Sequence, residues 1–118
     1  MSRRIAVLGL GAMGLQMASW LAKSFDVVGY DIAAERVALA DKEGVASATS
    51  AKEAADGADL VLVAVRNRTQ LDELLYGADG IAEVMKKGSA IILTSTMGIA
   101  PVEEVAAQLA EQGIGLVD

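Results

Sequence analysis

Three glycines near the N-terminus constrain this chain more than any other feature. Gly9, Gly11 and Gly14 have the spacing G-x-G-x-x-G, and they follow the apolar run at positions 5–8 without a break. Apolar residues then recur at helical spacing over about 13–24, so the glycines lie between a predicted strand and a predicted helix. Such a turn suits a phosphate, because the first amides of a helix are unpaired donors at the positive end of its dipole.

Each glycine of this turn has a separate predicted role in holding a dinucleotide. Gly9 permits the tight turn, Gly11 leaves room for the pyrophosphate, and Gly14 lets the helix pack closely on the strand. We therefore predict a cofactor-binding turn made of Gly9, Leu10, Gly11, Ala12, Met13 and Gly14. A glycine-rich turn that serves only the packing of strand and helix is the alternative.

Predicted strands and helices alternate along the whole chain. We expect strands at 5–8, 26–30, 45–48, 60–65, 90–93 and 116–117, and helices at 13–24, 33–43, 51–56, 70–75, 81–87 and from Pro101 to about 112. The run at 60–65 is the most continuous apolar stretch and should be the central strand. This alternation predicts an α/β fold, a Rossmann-type doubly wound and mainly parallel sheet with helices on both faces.

Two helical features carry more specific predictions. Met13, Met17, Trp20 and Leu21 fall on one stripe, which we expect to face the sheet, so that Trp20 serves in core or interface packing rather than in ligand stacking. Ser50, with a glutamate three residues later, matches a capping box at the start of a short helix.

Asp31 is the predicted acidic partner of the glycine turn. It stands at the end of the second predicted strand, 17 positions after Gly14, close to the offset of an acid that accepts from the ribose 2′-hydroxyl. A carboxylate there would repel the 2′-phosphate of NADP, so we predict NAD in preference to NADP. Arg36, about one helical turn further on, could weaken that preference, and capping of the next helix is an alternative role for Asp31.

Composition excludes several other classes of function. The chain has 118 residues, a net charge of −6, no Cys and no His, which argues against nucleic acid and against a zinc centre or an imidazole base. No apolar run is long enough to cross a bilayer, so we predict no membrane partner. The lack of Cys and His predicts no metal, and the lack of Cys suits the predicted cytoplasmic location. No catalytic pair of side chains is recognisable, although the strand-end segments 65–70 and 94–96 are candidates for ligand contact.

The glycine turn and the residues that follow it resemble one enzyme family. Gly9-Leu10-Gly11-Ala12-Met13-Gly14-Leu15-Gln16-Met17-Ala18 is similar to the 3-hydroxyacid dehydrogenases, relatives of 6-phosphogluconate dehydrogenase that include 3-hydroxyisobutyrate, tartronate semialdehyde and threonate dehydrogenases. The likeness continues to Leu116-Val117-Asp118. It implies that Val65 and Arg66 lie beside the cofactor, and that Gln70 and Thr96 contact its nicotinamide half. Arg66, where the family often has proline, and Arg68 are candidates for binding an anionic hydroxyacid, with solvated loop arginines as the alternative.

The resemblance also implies what we expect to be missing from this chain. The family carries its catalytic lysine in a second, helical substrate domain, and no lysine of this chain matches it. We therefore predict that residues 1–118 are a dinucleotide-binding domain with no catalytic residue, which binds NAD but does not turn over substrate. The intact protein would transfer hydride between nicotinamide and a small 3-hydroxy acid, as a homo-oligomer. The alternatives are a non-catalytic dinucleotide-sensing module and the cofactor half of an imine reductase-like enzyme.

Overall fold

Six parallel strands form one sheet in the computed structural model, which describes residues 3–64, 68–78, 80–94 and 99–117. The strands are β1 (Arg4–Leu8), β2 (Asp26–Tyr30), β3 (Ala46–Ser47), β4 (Leu60–Val63), β5 (Ala90–Leu93) and β6 (Gly115–Val117). Their order across the sheet is β3-β2-β1-β4-β5-β6, with every pair parallel. The strand order reverses between β1 and β4, and ligands of open α/β sheets bind at such a point.

The helices lie between the strands as the sequence predicts, with shifted ends. They are α1 (Ala12–Leu21), α2 (Ala34–Lys42), α3 (Ala51–Ala55), α4 (Arg68–Tyr76) and α5 (Ile99–Ala110). The helix expected at 81–87 is only a 3-10 turn over Ile81–Glu83, and α5 begins two residues before Pro101. The prediction of a doubly wound α/β fold is confirmed.

Both faces of the sheet are covered, which explains the unbroken apolar runs of its strands. Along β1, Ala6 and Leu8 join one hydrophobic cluster while Ile5 and Val7 join the other. One cluster takes in side chains of α3, α4 and α5, and the other takes in side chains of α1 and α2. The predicted central strand, β4, is central, with β1 on one side and β5 on the other.

The prediction for the buried stripe of α1 is wrong for Met13 and Trp20 and right for Met17 and Leu21, which pack against the core. The fully buried residues of α1 are Gly14 and Ala18, whereas Met13 is 66% exposed and Trp20 is 71% exposed. The Gly9 carbonyl lies so close to Gly14 that even an alanine side chain would overlap it, and the larger Met17 and Leu21 lie half-buried beside the contact. Periodicity identified the helix, but docking against β1 and β2 decided which of its faces is buried.

Side-chain hydrogen bonds fix two ends of elements away from the glycine turn. Ser50 Oγ accepts from Glu53 N at 3.0 Å, which confirms the predicted cap of α3, while the Glu53 carboxylate reaches back to Thr49 N at 3.1 Å. At the amino ends of the central strands, Asp59 accepts from Arg4 N at 2.9 Å and pairs with Lys86 Nζ at 2.6 Å. The pairing with Lys86, together with the Arg4 amide, lowers the pKa of Asp59.

Candidate dinucleotide-binding site

The glycine turn is tied to the end of β2 by two successive amides. Gly9 N donates to the carbonyl oxygen of Tyr30 at 2.9 Å, and Leu10 N donates to Asp31 Oδ2 at 2.7 Å. Leu15 N then donates to the Gly11 carbonyl at 2.8 Å and starts α1. The turn therefore has a set position at the carboxyl edge of the sheet, beside the place where strand order reverses.

The three glycines are required for different reasons. Gly9 has a φ of +104°, and an added Cβ would lie 3.2 Å from Ala64 Cβ. An added Cβ at Gly14 would overlap the carbonyl oxygen of Gly9. At Gly11, by contrast, φ is −65° and a Cβ would meet nothing within 4 Å. The packing of the described residues explains Gly9 and Gly14, and it leaves Gly11 facing open space.

That open space lies at the start of α1, where the helix offers unpaired donors. Gly11 is the N-cap residue, no side chain caps the helix there, and the first turn holds no acidic residue. Gly11, Ala12 and Met13 are all exposed. An anion placed here would meet backbone N–H groups and the positive end of the helix dipole without displacing a side chain. The residues present thus fit a pyrophosphate.

Asp31 uses both carboxylate oxygens for backbone contacts. Oδ2 accepts from Leu10 N at 2.7 Å and Oδ1 accepts from Ala33 N at 2.9 Å, just before α2 begins. The alternative role as a helix cap is not what the structure shows, because Ala33 is the N-cap residue of α2 and no side chain of the described residues caps that helix; Asp31 instead holds the turn just before it. These backbone contacts do not exclude a ribose contact, because each carboxylate oxygen can accept more than one hydrogen bond and the residue is only half-buried.

Ile32 is a site candidate that our sequence reasoning missed. It follows Asp31 directly and is 93% exposed, although it is a large apolar residue. Together with Asp31 it lines a groove of about 460 Å³ that runs along α2 toward β3. The available signal was an isoleucine beyond the acid at a strand end, outside any apolar period.

The remaining predicted cofactor contacts divide into two groups. Val65, Arg66 and Thr96 lie outside the described residues. Gln70 lies exposed in the first turn of α4. Thr94, in the other suspected strand-end segment, donates its hydroxyl to the Val63 carbonyl at 3.0 Å and so joins the ends of β4 and β5.

Arg68 is neither a solvated loop residue nor an open anion receptor. It is the first residue of α4, and its guanidinium contacts Asp72 at 2.9 Å and Glu104 of α5 at 3.0 Å. Hydrogen bonds to these carboxylates raise the pKa of Arg68. Two acidic partners already balance its charge, and Arg68 links α4 to α5.

Within the part of the chain that the structure describes, no group of three or more His, Cys, Asp or Glu side chains could hold a metal ion. Among the described helices, none is long and apolar enough to span a membrane.

The chain has the fold of a dinucleotide-binding domain of Rossmann type. Three features define it: the parallel sheet in this strand order, the glycine turn that leads into an uncapped helix, and the acid at the end of β2. Residues 4–118 match the model of the NAD binding domain of 6-phosphogluconate dehydrogenase. The chain belongs to that family, as its resemblance to the 3-hydroxyacid dehydrogenases implied.

Individual relatives agree with this assignment. The chain is 39% identical over 120 residues to an L-threonate dehydrogenase of Cupriavidus necator, a match that spans 100% of this chain and 40% of the relative. A crystal structure of 3-hydroxyisobutyrate dehydrogenase from Salmonella typhimurium superimposes with a TM-score of 0.88 at 33% identity, over 97% of this chain and 40% of that one. An imine reductase from Pseudomonas sp. gives 0.84 at 25% identity, over 98% and 40%. The chain thus spans about two fifths of the length of these proteins.

Proposed function

We propose that this chain binds NAD across the carboxyl edge of the sheet, with the pyrophosphate at the start of α1 and the adenosine ribose at Asp31. The observation that carries the proposal is Gly11. Its missing side chain is not required by the packing of the described residues, and it faces open space beside an uncapped helix N-terminus. A bound phosphate accounts for a glycine at that position.

The preference for NAD over NADP rests on the Asp31 carboxylate. A 2′-phosphate at the same place would put like charges a few ångströms apart, at a cost of about 1 kcal/mol or more even when they are well solvated. Arg36 lines a different cavity, of about 480 Å³, on α2 with Lys42, and it is absent from the groove that Asp31 lines. This arrangement supports the view that Arg36 does little to offset the repulsion.

Ile32 extends the proposed site toward the adenine. An exposed apolar side chain next to the ribose acid offers a contact surface for a flat purine ring, and covering it would remove apolar area from water. Val65, Arg66, Gln70 and Thr96 remain predicted contacts of the cofactor, on the strength of the family resemblance.

Calorimetric titration of the chain tests this binding function. NAD should bind with measurable heat, NADP should bind more weakly, and Gly11→Val should abolish binding of both. Gly115→Ala, in the edge strand β6, is the control. Its new Cβ would make only an ordinary 3.6 Å contact with Ala90 of β5. Equal affinity of the wild type and Gly11→Val for NAD would refute the pyrophosphate assignment.

For the intact protein, we propose a dehydrogenase that transfers hydride between NAD and a small anionic 3-hydroxy acid. The relatives named L-threonate and 3-hydroxyisobutyrate dehydrogenase support this reading, as does the share of their length that the chain spans. The cofactor carries the hydride, and the protein positions it. In this reading residues 1–118 are the cofactor domain, a second domain supplies the catalytic lysine, and a hydroxyacid oxidation rate from residues 1–118 alone would contradict it.

The likeness to an imine reductase keeps a second candidate open for the intact protein. Assays of that protein with L-threonate or 3-hydroxyisobutyrate plus NAD, and with a cyclic imine plus NADPH, separate the two enzyme classes. Turnover in neither assay, with NAD still bound, would favour a dinucleotide-sensing module. We also expect a homo-oligomer in the cytoplasm, which light scattering and cell fractionation would test.

A further inference from the structure

Asp31 does more in this structure than present an oxygen to a ligand. Its Oδ2 holds Leu10 N at 2.7 Å, and Leu10 is completely buried. Loss of the carboxylate therefore leaves this amide without its present acceptor, and a buried N–H without an acceptor is unfavourable. Without Asp31 the turn would have to move until the Leu10 amide found another partner.

Movement of the turn would carry the phosphate site with it. Gly9 is tied to Tyr30 on one side, and its carbonyl oxygen lies directly against Gly14 of α1 on the other. The start of α1 therefore cannot keep its place if the Gly9–Leu10 segment shifts. The position of the helix amides that face the open space at Gly11 depends on the Asp31 carboxylate.

We propose that Asp31 is a positioning residue for the pyrophosphate site, in addition to its proposed contact with the ribose. The inference rests on the proposed NAD binding and deepens it. It implies that removal of Asp31 weakens even ligands that lack ribose hydroxyls. It also implies that an Asp31 variant made to accept NADP would lose part of its affinity for the phosphates shared by both cofactors.

The sign of the effect separates positioning from simple electrostatics. Removal of a carboxylate near an anionic ligand reduces repulsion, so Coulomb forces alone would tighten the binding of a diphosphate. A direct hydrogen bond to the ribose, in turn, contributes nothing when the ribose has no hydroxyl. Weaker binding of such a ligand can therefore come only from a displaced turn in a folded protein.

The test compares ADP with 2′,3′-dideoxy-ADP by calorimetry on the wild type, Asp31→Asn and Asp31→Ala. We expect Asp31→Ala to weaken dideoxy-ADP about tenfold, the effect of losing one hydrogen bond to a charged group. Asp31→Asn should fall between, because a single amide oxygen has to serve Leu10 and Ala33. Asp56→Ala, which removes an exposed carboxylate at the end of α3 and outside the groove that Asp31 lines, is the matched control and should bind dideoxy-ADP like the wild type.

Amide hydrogen exchange gives a readout that needs no ligand. The Leu10 amide should exchange at least about tenfold faster in Asp31→Asn than in the wild type, with the amides of β1 unchanged. Unchanged dideoxy-ADP affinity together with unchanged Leu10 exchange would overturn the inference while leaving NAD binding intact. Failure of the wild type to bind NAD or ADP would instead refute the proposed function. If Asp31→Ala does not fold, Asp31→Asn and its Leu10 exchange decide the matter.

Discussion

Replacing Gly11 and Gly14 with alanine, one at a time, should separate ligand binding from folding within a single turn. At Gly11 the backbone already has φ of −65°, and the new methyl group would meet no atom of the described residues within 4 Å. Alanine has less conformational entropy than glycine in the unfolded chain, which stabilises such a variant by roughly 0.4–1 kcal/mol. Loss of a favourable N-cap residue offsets this by about 0.5–1 kcal/mol.

The two contributions nearly cancel, so Gly11→Ala should keep its melting temperature within about 4 °C of the wild type. Gly14→Ala behaves differently, because its methyl group would overlap the Gly9 carbonyl oxygen and lie 3.1 Å from the carbonyl carbon. Both are backbone atoms that cannot rotate away, so overpacking should cost about 3 kcal/mol. A drop of roughly 10 °C or more in melting temperature is expected for a chain of this length.

NAD affinity should fall in Gly11→Ala even though the stability of this variant is nearly unchanged. The methyl group occupies the space proposed for the pyrophosphate, so the affinity of Gly11→Ala should fall at least about tenfold, equivalent to about 1.4 kcal/mol. Scanning fluorimetry gives the melting temperatures and calorimetry gives the affinities. Gly11→Ala with wild-type NAD affinity, or with a loss of stability as large as that of Gly14→Ala, would refute the assignment of Gly11 to the ligand.

Three further substitutions test other parts of the structure. Ile32→Ser should weaken NAD roughly fivefold, or about 1 kcal/mol, with an unchanged melting temperature, and equal affinity would remove Ile32 from the site. Ser50→Ala should lower the free energy of unfolding by about 1 kcal/mol through loss of the cap of α3, measurable by urea denaturation. The hydrogen bond from Lys86 lowers the pKa of Asp59 below its ordinary value of 3.8. The ionised Asp59 therefore stabilises the fold above pH 3.8, and this contribution is lost as the pH falls through the lower pKa of the folded state. Asp59→Asn should therefore show a smaller drop in melting temperature between pH 5 and that acid range, and an unchanged profile would contradict the pairing.

Local patterns predicted most of the fold. The strands at 26–30 and 90–93 have the predicted bounds. At 90–93 a continuous apolar run leaves little choice of conformation. The cap at Ser50 was also readable, since its donor lies three residues away. The sequence predicted a doubly wound parallel sheet but not the order of its strands, because strands that pair are distant in sequence.

The site shows the same division. The glycine spacing predicted the turn, and the offset of Asp31 predicted its place beside the turn, since both belong to one strand–helix–strand unit. The sequence did not reveal that Asp31 holds the buried Leu10 amide, or that Arg68 is paired with Glu104 of a later helix. Those contacts depend on how separate elements dock.

What the sequence by itself determined about this protein is its class: alternating elements, a phosphate-binding turn and an acid at the second strand end, all encoded within short windows. Tertiary structure alone decided which face of α1 is buried, because docking against β1 and β2 places Gly14 and Ala18 inward and leaves Met13 and Trp20 exposed. It also decided what surrounds each glycine of the turn. The spacing predicts that Gly11 makes room for the pyrophosphate, and only the packed structure shows that a Cβ there would meet no described atom within 4 Å, whereas a Cβ at Gly9 would meet Ala64 and one at Gly14 would overlap Gly9.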